Sequence, residues 1–229
     1  DPMLCARILQ LVNSAIFCLR EPIADVERAV SIVGMDMVKS LAMSQSVYAS
    51  NEKTERITSA QQLMDHGFQV ALTGKKLARH MGTSNDESNT VFTAGLLHDV
   101  GKLILTNAFP DRYKTVLDNA TSQYQSVEQL EMEEFGATHQ GIGGYLFGLW
   151  GLPAAVTDAV ASHHSFLACA HAEGKPRQIV FAANWIEGNK TEDDLQMAVE
   201  LADGEPEAVD FANRIREWQE MITSTEVED

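Results

Sequence analysis

At 229 residues, 45% of them apolar and only 7% aromatic, the chain has the length and composition for one sizeable core, or at most two small ones, and not for a disordered polypeptide. Its 33 acidic residues against 17 basic give a formal charge of −16. That charge repels phosphate backbones and anionic lipid, so nucleic acid and membrane surfaces are excluded as expected partners, while a small phosphorylated ligand held by a metal or a few local cations is not.

No apolar stretch approaches the roughly 20 residues a membrane span needs, and no basic then apolar leader opens the chain. It starts at Asp1 and not at Met, which is what a fragment or a processed form shows. Cys5, Cys18 and Cys169 are odd in number, widely spaced and without a Cys-x-x-Cys pair. They read as buried thiols in a reducing compartment, which places the protein in the cytoplasm.

Apolar residues recur every three or four positions almost throughout, with little alternation, so the expected class is all-α, a multi-helix bundle. The opening "DPMLCARILQLVNSAIF" offers Asp1 as N-cap and Pro2 at the first helical position, with Leu4, Ile8, Leu11 and Ala15 on one face. Asn13 and Ser14 read as a helix-end bonding pair. In "ADVERAVSIVG", Asp25 can cap a second helix and Gly34 can stop it. A third helix is expected over 35–49 and a longer fourth over 59–80, with "SNEKTERIT" (50–58) as the candidate boundary between an N-terminal helical part and the rest. On the fourth, Lys75, Lys76 and Arg79 read as a solvated face, with a local anion site as the alternative.

The polar "GTSNDESNT" (82–90) reads as a loop before the helix that carries Leu96, Leu97, His98 and Asp99. "SVEQ" (126–129) can form a capping box through Ser126 and Gln129. Further helices are expected at 138–149, 153–166, 177–188, 193–203 and 206–223, before a frayed acidic end. Gly141, Gly143 and Gly144 cost helix propensity, which close approach of a neighbouring helix would explain. Trp150, Leu152 and Pro153 read as a packed corner.

The run "TAGLLHDVGKLIL" (93–105) sets His98 and Asp99 side by side among leucines, where an unpaired carboxylate is expensive. His66 lies near the apolar face of its helix, with Leu63 and Val70. His139 opens a helix after Gly136 and Thr138, and His163 and His164 follow the apolar "AAVTDAVA". Histidines and a carboxylate on apolar faces are economically explained by a shared divalent metal, which offsets their burial. Adjacent ligands about 100° apart on a helix suit one ion reached from a helix end, or two neighbouring ions. The alternative keeps Asp99 as a cap or as the partner of Lys102, with the histidines bonded locally. His80 and His171 sit in polar contexts and carry no assigned role.

"GLLHDVGKLIL" is similar to the His-Asp signature of the HD superfamily of metal-dependent phosphohydrolases. More narrowly, the chain resembles the HDOD domain, a bacterial signalling relative of that superfamily and of the HD-GYP cyclic-dinucleotide phosphodiesterases. Two further stretches carry the resemblance: the N-terminal run through "SIVGMDMVKSLAMS" and "EEFGATHQGIGGYLFGLWGLPAAVTDAVASHH". The likeness covers about residues 1–188, and such proteins usually have a further helical stretch before the "DP".

The resemblance implies an all-α bundle of the HD/HDOD type, one domain in three parts. These are 1–50 as an N-terminal helical part, 51–188 as a metal-site core and 189–229 as C-terminal helices with an acidic tail. It places superfamily metal ligands at His66, His98 and Asp99, and the second-ion histidines at His139, His163 and His164. The last ligand, an aspartate in the family, falls on Asn184 in "IVFAANWIEG". An amide oxygen can ligate, but it binds a transition metal more weakly and is no base.

One or two divalent ions are implied, of iron, manganese or zinc. The implied chemistry is hydrolysis of a phosphate ester of a nucleotide or cyclic dinucleotide, with the metal bringing the pKa of water toward about 7. Asp99 and Lys102 are then the catalytic residues. Lys102 would steady a phosphate oxygen, or else it is a cation paired with Asp99 or a helix end. Asn184 and the lack of a "GYP" triplet favour a second function, a catalytically inactive signalling module that binds a protein partner. A third reading is a structural helical domain. A small phosphorylated ligand and a signalling protein are the implied partners, with the oligomeric state open.

Overall fold

The computed structural model describes residues 2–49, 60–123, 125–172, 174–188 and 190–226, and every regular element among them is helical. Helix α1 (Pro2–Val12) buries Ile8, Leu11 and Val12. The Asp1 cap and the 50–58 boundary lie outside the described residues. Asn13 ends α1: its Nδ2 donates to the carbonyls of Leu9 (2.9 Å) and Ile23 (2.8 Å), and its Oδ1 accepts from the Ile23 N–H at 2.7 Å. The chain is thereby stapled back on itself, and Ala15–Phe17 forms a separate 3-10 turn instead of extending α1. Helix α2 (Val26–Val33) is capped by Asp25, which accepts from the Arg28 N–H at 2.7 Å, and ends at Gly34 with φ +87°.

Helices α3 (Met35–Ala49) and α4 (Ala60–His80) follow. Helix α5 runs Asn85–Leu97, so most of the expected 82–90 loop is helical. The reason is local: Ser84 accepts from the Glu87 N–H at 3.2 Å while Glu87 accepts from the Ser84 N–H at 3.0 Å, a reciprocal capping box. Helix α6 (Val100–Ala108) is followed by α7 (Pro110–Gln123), which the periodicity did not single out. At the start of α8 (Val127–Phe135) Ser126 accepts from the Gln129 N–H at 3.1 Å. The Ser126 hydroxyl itself turns to Glu128, 2.8 Å away.

Helix α9 (His139–Leu149) leads into α10 (Ala154–Ser162), where the expected helix over 153–166 breaks. The His163 ring donates to the Val160 carbonyl at 2.6 Å, and the His164 N–H goes to Gln140 Oε1 at 3.1 Å instead of back to Val160. The helix ladder loses its next rung there, and α11 (Phe166–Ala170) starts afresh. Helices α12 (Lys175–Glu187), α13 (Glu192–Leu201) and α14 (Pro206–Glu226) complete the order.

Helices α4 and α5 pack along each other most extensively, with α12 laid against both and α10 and α3 against α5. Two glycines permit it: a Cβ at Gly67 would sit 2.7 Å from the Leu96 carbonyl oxygen, and one at Gly95 would sit 2.8 Å from Ala71 Cα. The close approach expected for the α9 glycines holds at Gly143 and Gly144, where a Cβ would meet Val160 at 3.1 Å and Ala161 at 2.7 Å. It does not hold at Gly141, whose N–H donates to the capping Thr138 hydroxyl at 3.2 Å. One apolar core runs from Ile8 to Ile222, and a satellite of Leu105, Tyr113 and Val116 fills the space around α7 and α8.

Some expectations are corrected. Of the three cysteines, which are all free, Cys169 is buried, Cys5 half-buried and Cys18 exposed. Burial pushes the Cys169 thiol up to about 12. Trp150 is 50% exposed, so the corner after α9 is packed by Leu152 more than by the indole. Lys75 and Arg79 are not simply solvated: Lys75 donates to Ser88 Oγ at 3.3 Å, and Arg79 donates to the Ile16 carbonyl at 2.9 Å. Among the described residues, no helix is long and apolar enough to cross a membrane.

Candidate metal centre

The packing brings the ends of several helices to one place. His66 comes from α4, His98 from the C-terminus of α5, Asp99 from the N-terminus of α6, His139 from the first turn of α9, His163 and His164 from the end of α10, and Asn184 from α12. Neighbouring ring centroids lie close: 5.1 Å for His66–His98, 4.8 Å for His98–His163, 5.2 Å for His139–His163 and 5.0 Å for His139–His164. His98, Asp99, His139 and His163 are at most 1% exposed. Gly101 is a condition of this convergence, because a Cβ there would fall 1.9 Å from the His139 carbonyl oxygen and force α6 and α9 apart.

Asp99 stands at the N-cap position of α6 but makes no side-chain cap bond. Its carboxylate turns to the histidines instead. Oδ2 accepts from Lys102 Nζ at 2.9 Å and lies 3.5 Å from His98 Nε2. Oδ1 lies 3.6 Å from both His139 Nε2 and His163 Nε2. Burial alone would raise this carboxyl; the rings of His98, His163 and His139 and the Lys102 ammonium overcome it and hold the group well below the usual carboxylate range.

The protons on the histidines can be placed from their outer partners. A carbonyl or carboxylate oxygen only accepts, so the ring nitrogen facing it must carry the hydrogen. His98 Nδ1–H donates to the Gly95 carbonyl (2.8 Å) and His163 Nδ1–H to the Val160 carbonyl (2.6 Å). His139 Nδ1–H donates to Glu131 Oε2 at 2.7 Å, and His164 Nδ1 faces Glu128 Oε1 at 3.2 Å. Burial lowers His98 to about 3, and it also lowers His163 and His164. The three rings are therefore neutral near pH 7, and each turns an Nε2 lone pair inward.

That arrangement is unsatisfied by the protein alone. His139 Nε2 and His163 Nε2 face each other at 3.3 Å. His98 Nε2, His164 Nε2 and Asp99 Oδ1 are buried with no hydrogen-bond partner. Unpartnered nitrogens of His98 and His164 and an unpartnered anionic oxygen converging at one buried place call for a cation. The 3.3 Å spacing is about the edge of a tetrahedron of nitrogens lying roughly 2.0–2.1 Å from a common ion. Asp99, His139, His163 and His164 form one group whose ligand atoms lie within 4.8 Å of one another, and His66, His98 and Asp99 form another, so Asp99 belongs to both. The donor set of imidazoles and a carboxylate fits a divalent transition metal.

His66 differs from the rest. Its Nε2 lies 3.0 Å from Asn184 Oδ1, so that nitrogen already has a partner. Lys102, with its side chain 23% exposed, sits on Asp99 and closes the solvent side of the carboxylate. His171 pairs with Glu205 at 2.9 Å and belongs to neither of these two groups.

Three contributors escape sequence reasoning. Glu131 is fully buried, and its carboxylate accepts from the His139 ring, from the His139 N–H at 2.8 Å and from the Tyr113 hydroxyl at 2.8 Å. Nothing in "SVEQLEMEEF" separates Glu131 from the neighbouring glutamates, or Glu128, which faces His164, from the rest. Tyr48 on α3 is buried, its hydroxyl has no hydrogen-bond partner, and burial together with the Asp99 charge raises its phenol.

The profile of the HDOD domain family matches residues 1–166, so α12 and all that follows lie beyond the matched region. An HDOD domain protein with unknown function from Geobacter sulfurreducens superposes with a TM-score of 0.74 at 23% identity, covering 100% of this chain and 80% of that one. A candidate phosphohydrolase from Shewanella amazonensis SB2B superposes with a TM-score of 0.65 at 24% identity, covering 96% of this chain and 80% of that one. Both establish the all-α fold. An uncharacterized protein of Treponema pallidum (strain Nichols) is 26% identical over 165 residues, 72% of this chain and 32% of its own length. The chain thus spans about a third of that curated relative.

Proposed function

This chain belongs to the HDOD domain family, and on that premise we propose that it is a signal-transduction domain built on a divalent-metal site, hydrolysing a phosphate ester of a nucleotide or cyclic dinucleotide. The observation that carries the reading is the convergence of ring nitrogens on one carboxylate, His139 and His163 Nε2 at 3.3 Å from each other, with Asp99 Oδ1 3.6 Å from each. The fold likeness to a candidate phosphohydrolase supports it at the level of architecture.

Asp99, His139, His163 and His164 would hold one ion, of iron, manganese or zinc, while His98 stands with Asp99 on the His66 side. When bound, the cation supplies Lewis acidity toward a phosphoryl oxygen and toward water. Glu131 and the Gly95 and Val160 carbonyls accept from the Nδ1 side of their rings and so aim the Nε2 atoms inward. Lys102 neutralises Asp99 Oδ2 and, being partly exposed, presents positive charge to an entering phosphate. Three free cysteines suit a reducing, cytoplasmic setting.

A second reading, a metal-holding module that binds a signalling partner without turnover, is favoured by Asn184. That amide stands where the resemblance to the HD superfamily implies an aspartate, and it holds His66 at 3.0 Å. Elemental analysis of the purified chain beside His98→Ala and Asp99→Ala tests the site, and release of p-nitrophenol from bis(p-nitrophenyl) phosphate tests turnover. Near-stoichiometric metal, lost in both variants, with metal-dependent release is the expected result. Metal without release selects the second reading. Folded protein that carries no metal and takes up none on titration sinks both.

A further inference from the structure

We infer that a cleft between α11, α12 and α13 is the recognition site for a phosphoester whose organic part carries a flat ring. The inference rests on the metal-site reading for the phosphate end and on separate observations for the ring end. Two adjoining cavities share His164, Phe181, Trp185 and Lys190. One, of about 300 Å³, reaches His163 and Asn184 and so opens on the cluster. The other, of about 330 Å³, is walled by Leu167, Met197 and Leu201.

Those three apolar side chains are 40%, 61% and 82% exposed. Scattered singly they would mean nothing, but here they converge on one cavity that leads to the candidate metal centre. Trp185 is stacked on Phe181, with centroids 5.6 Å apart and rings 25° from parallel, and Phe166 packs edge-on against the same Phe181 at 5.8 Å. Phe181 and Trp185 line both cavities and Phe166 the apolar one, and stacking on such a wall selects flat rings and tolerates many of them.

The charges along the cleft sort themselves. Glu128 is engaged with the His164 ring at 3.2 Å, and Asp194 accepts from the Thr191 N–H at 2.7 Å and the Thr191 hydroxyl at 2.8 Å. Lys190 lines both cavities and makes no ion pair within 4 Å among the described residues. His164 stands at the same bend, with its unpartnered Nε2 belonging to the candidate ligand set, and so marks the end of the cleft where a metal would meet a phosphate. The anionic group therefore lies toward the candidate metal centre and Lys190, and the ring lies along Trp185 toward Met197 and Leu201. Cavities of this size fit a ligand of mononucleotide bulk, at the small end of the roughly 300–1,000 Å³ range. Most of the wall comes from residues past 166, beyond the family match, so ring recognition is a property of this chain's own C-terminal part.

The test is calorimetric titration of the purified, metal-loaded chain with 2-naphthylmethylphosphonate and with propylphosphonate, whose carbon–phosphorus bonds hydrolysis leaves alone. The naphthyl compound should bind about tenfold tighter or better, the factor one stacked ring supplies. Trp185→Leu should abolish the preference. Leu201→Ser, at an exposed position that leaves folding intact, should reduce it about threefold, and Lys190→Gln should weaken both compounds alike. Equal affinities for the two compounds, a preference that survives both Trp185→Leu and Leu201→Ser, or no binding of either compound overturns the inference. Metal content and inorganic phosphate binding of the same samples keep the two readings apart. Phosphate binding without ring preference defeats the ring site alone, whereas ring-selective, Trp185-dependent binding to a chain that holds no metal supports the ring site and defeats the metal reading.

Discussion

On one side of Asp99, His139 and His163 turn their Nε2 atoms toward each other at 3.3 Å, and each ring is fixed from behind, His139 by the buried Glu131 and His163 by the Val160 carbonyl. On the other side His98 is fixed in the same way by Gly95, but His66 spends its Nε2 on the Asn184 amide at 3.0 Å. The difference shows how one side chain weights a shared site. An aspartate at 184 would bring a charge to the His66 side, whereas the amide satisfies the imidazole and leaves Asp99 as the carboxylate common to both ligand groups. The His139–His163 side is then where a cation gains most.

Breaking the shared carboxylate should have the largest effect. Asp99→Ala is expected to reduce metal content from near one ion per chain to none by elemental analysis, because both sides lose their only anionic ligand. Glu131→Gln strikes one side alone. It should weaken metal binding by about 10–100-fold in competition with a chelator, the usual cost of losing the carboxylate behind a ligating imidazole. His66→Ala, on the other side, should cost under about tenfold by the same measure. A larger loss from His66→Ala than from Glu131→Gln would invert the comparison.

Asn184→Asp sharpens it: the added carboxylate should let a second equivalent of manganese titrate, read by calorimetry, while an unchanged stoichiometry would mean that the amide is not what limits this side. Ser84→Ala, at the remote start of α5, should lower stability by about 1 kcal/mol through the lost cap and leave metal content alone.

The smallest effect is on pH. Glu87 and Asp194 are held below their ordinary values by the N–H and hydroxyl groups of their capping partners Ser84 and Thr191. A carboxyl lowered in the fold contributes its stability fully above the unfolded value, near about 4, and loses it as pH falls through the lower folded value. Melting temperature should therefore fall more steeply below about pH 4 in the native chain than in Ser84→Ala.

Where periodicity was regular and a local signal stood at each end, the sequence was readable. Asp25 and Gly34 bound α2 as expected, and Thr191 with Asp194 formed a box that starts α13. The misreading at 82–90 came from weighing polarity over spacing, since Ser84 and Glu87 stand three apart, a capping-box spacing. The helix break at His163 had no such sign. It depends on Gln140, from another helix, taking the His164 N–H. Glu131 was illegible for a related reason: in an acidic run, only burial distinguishes the carboxylate that braces a histidine from those that face water.

The sequence by itself determined the all-helical class, the identity of the cluster's side chains and the local brace of two of them, because the Gly95 and Val160 carbonyls lie three residues before the rings they hold. Only the tertiary structure decided the remainder. Glu131 reaches His139, Glu128 reaches His164, and Asn184 reaches His66 across helices whose approach depends on Gly67, Gly95 and Gly101. Which imidazole nitrogen keeps its proton is set by the acceptor that packing brings to it, and no spacing along the chain carries that information.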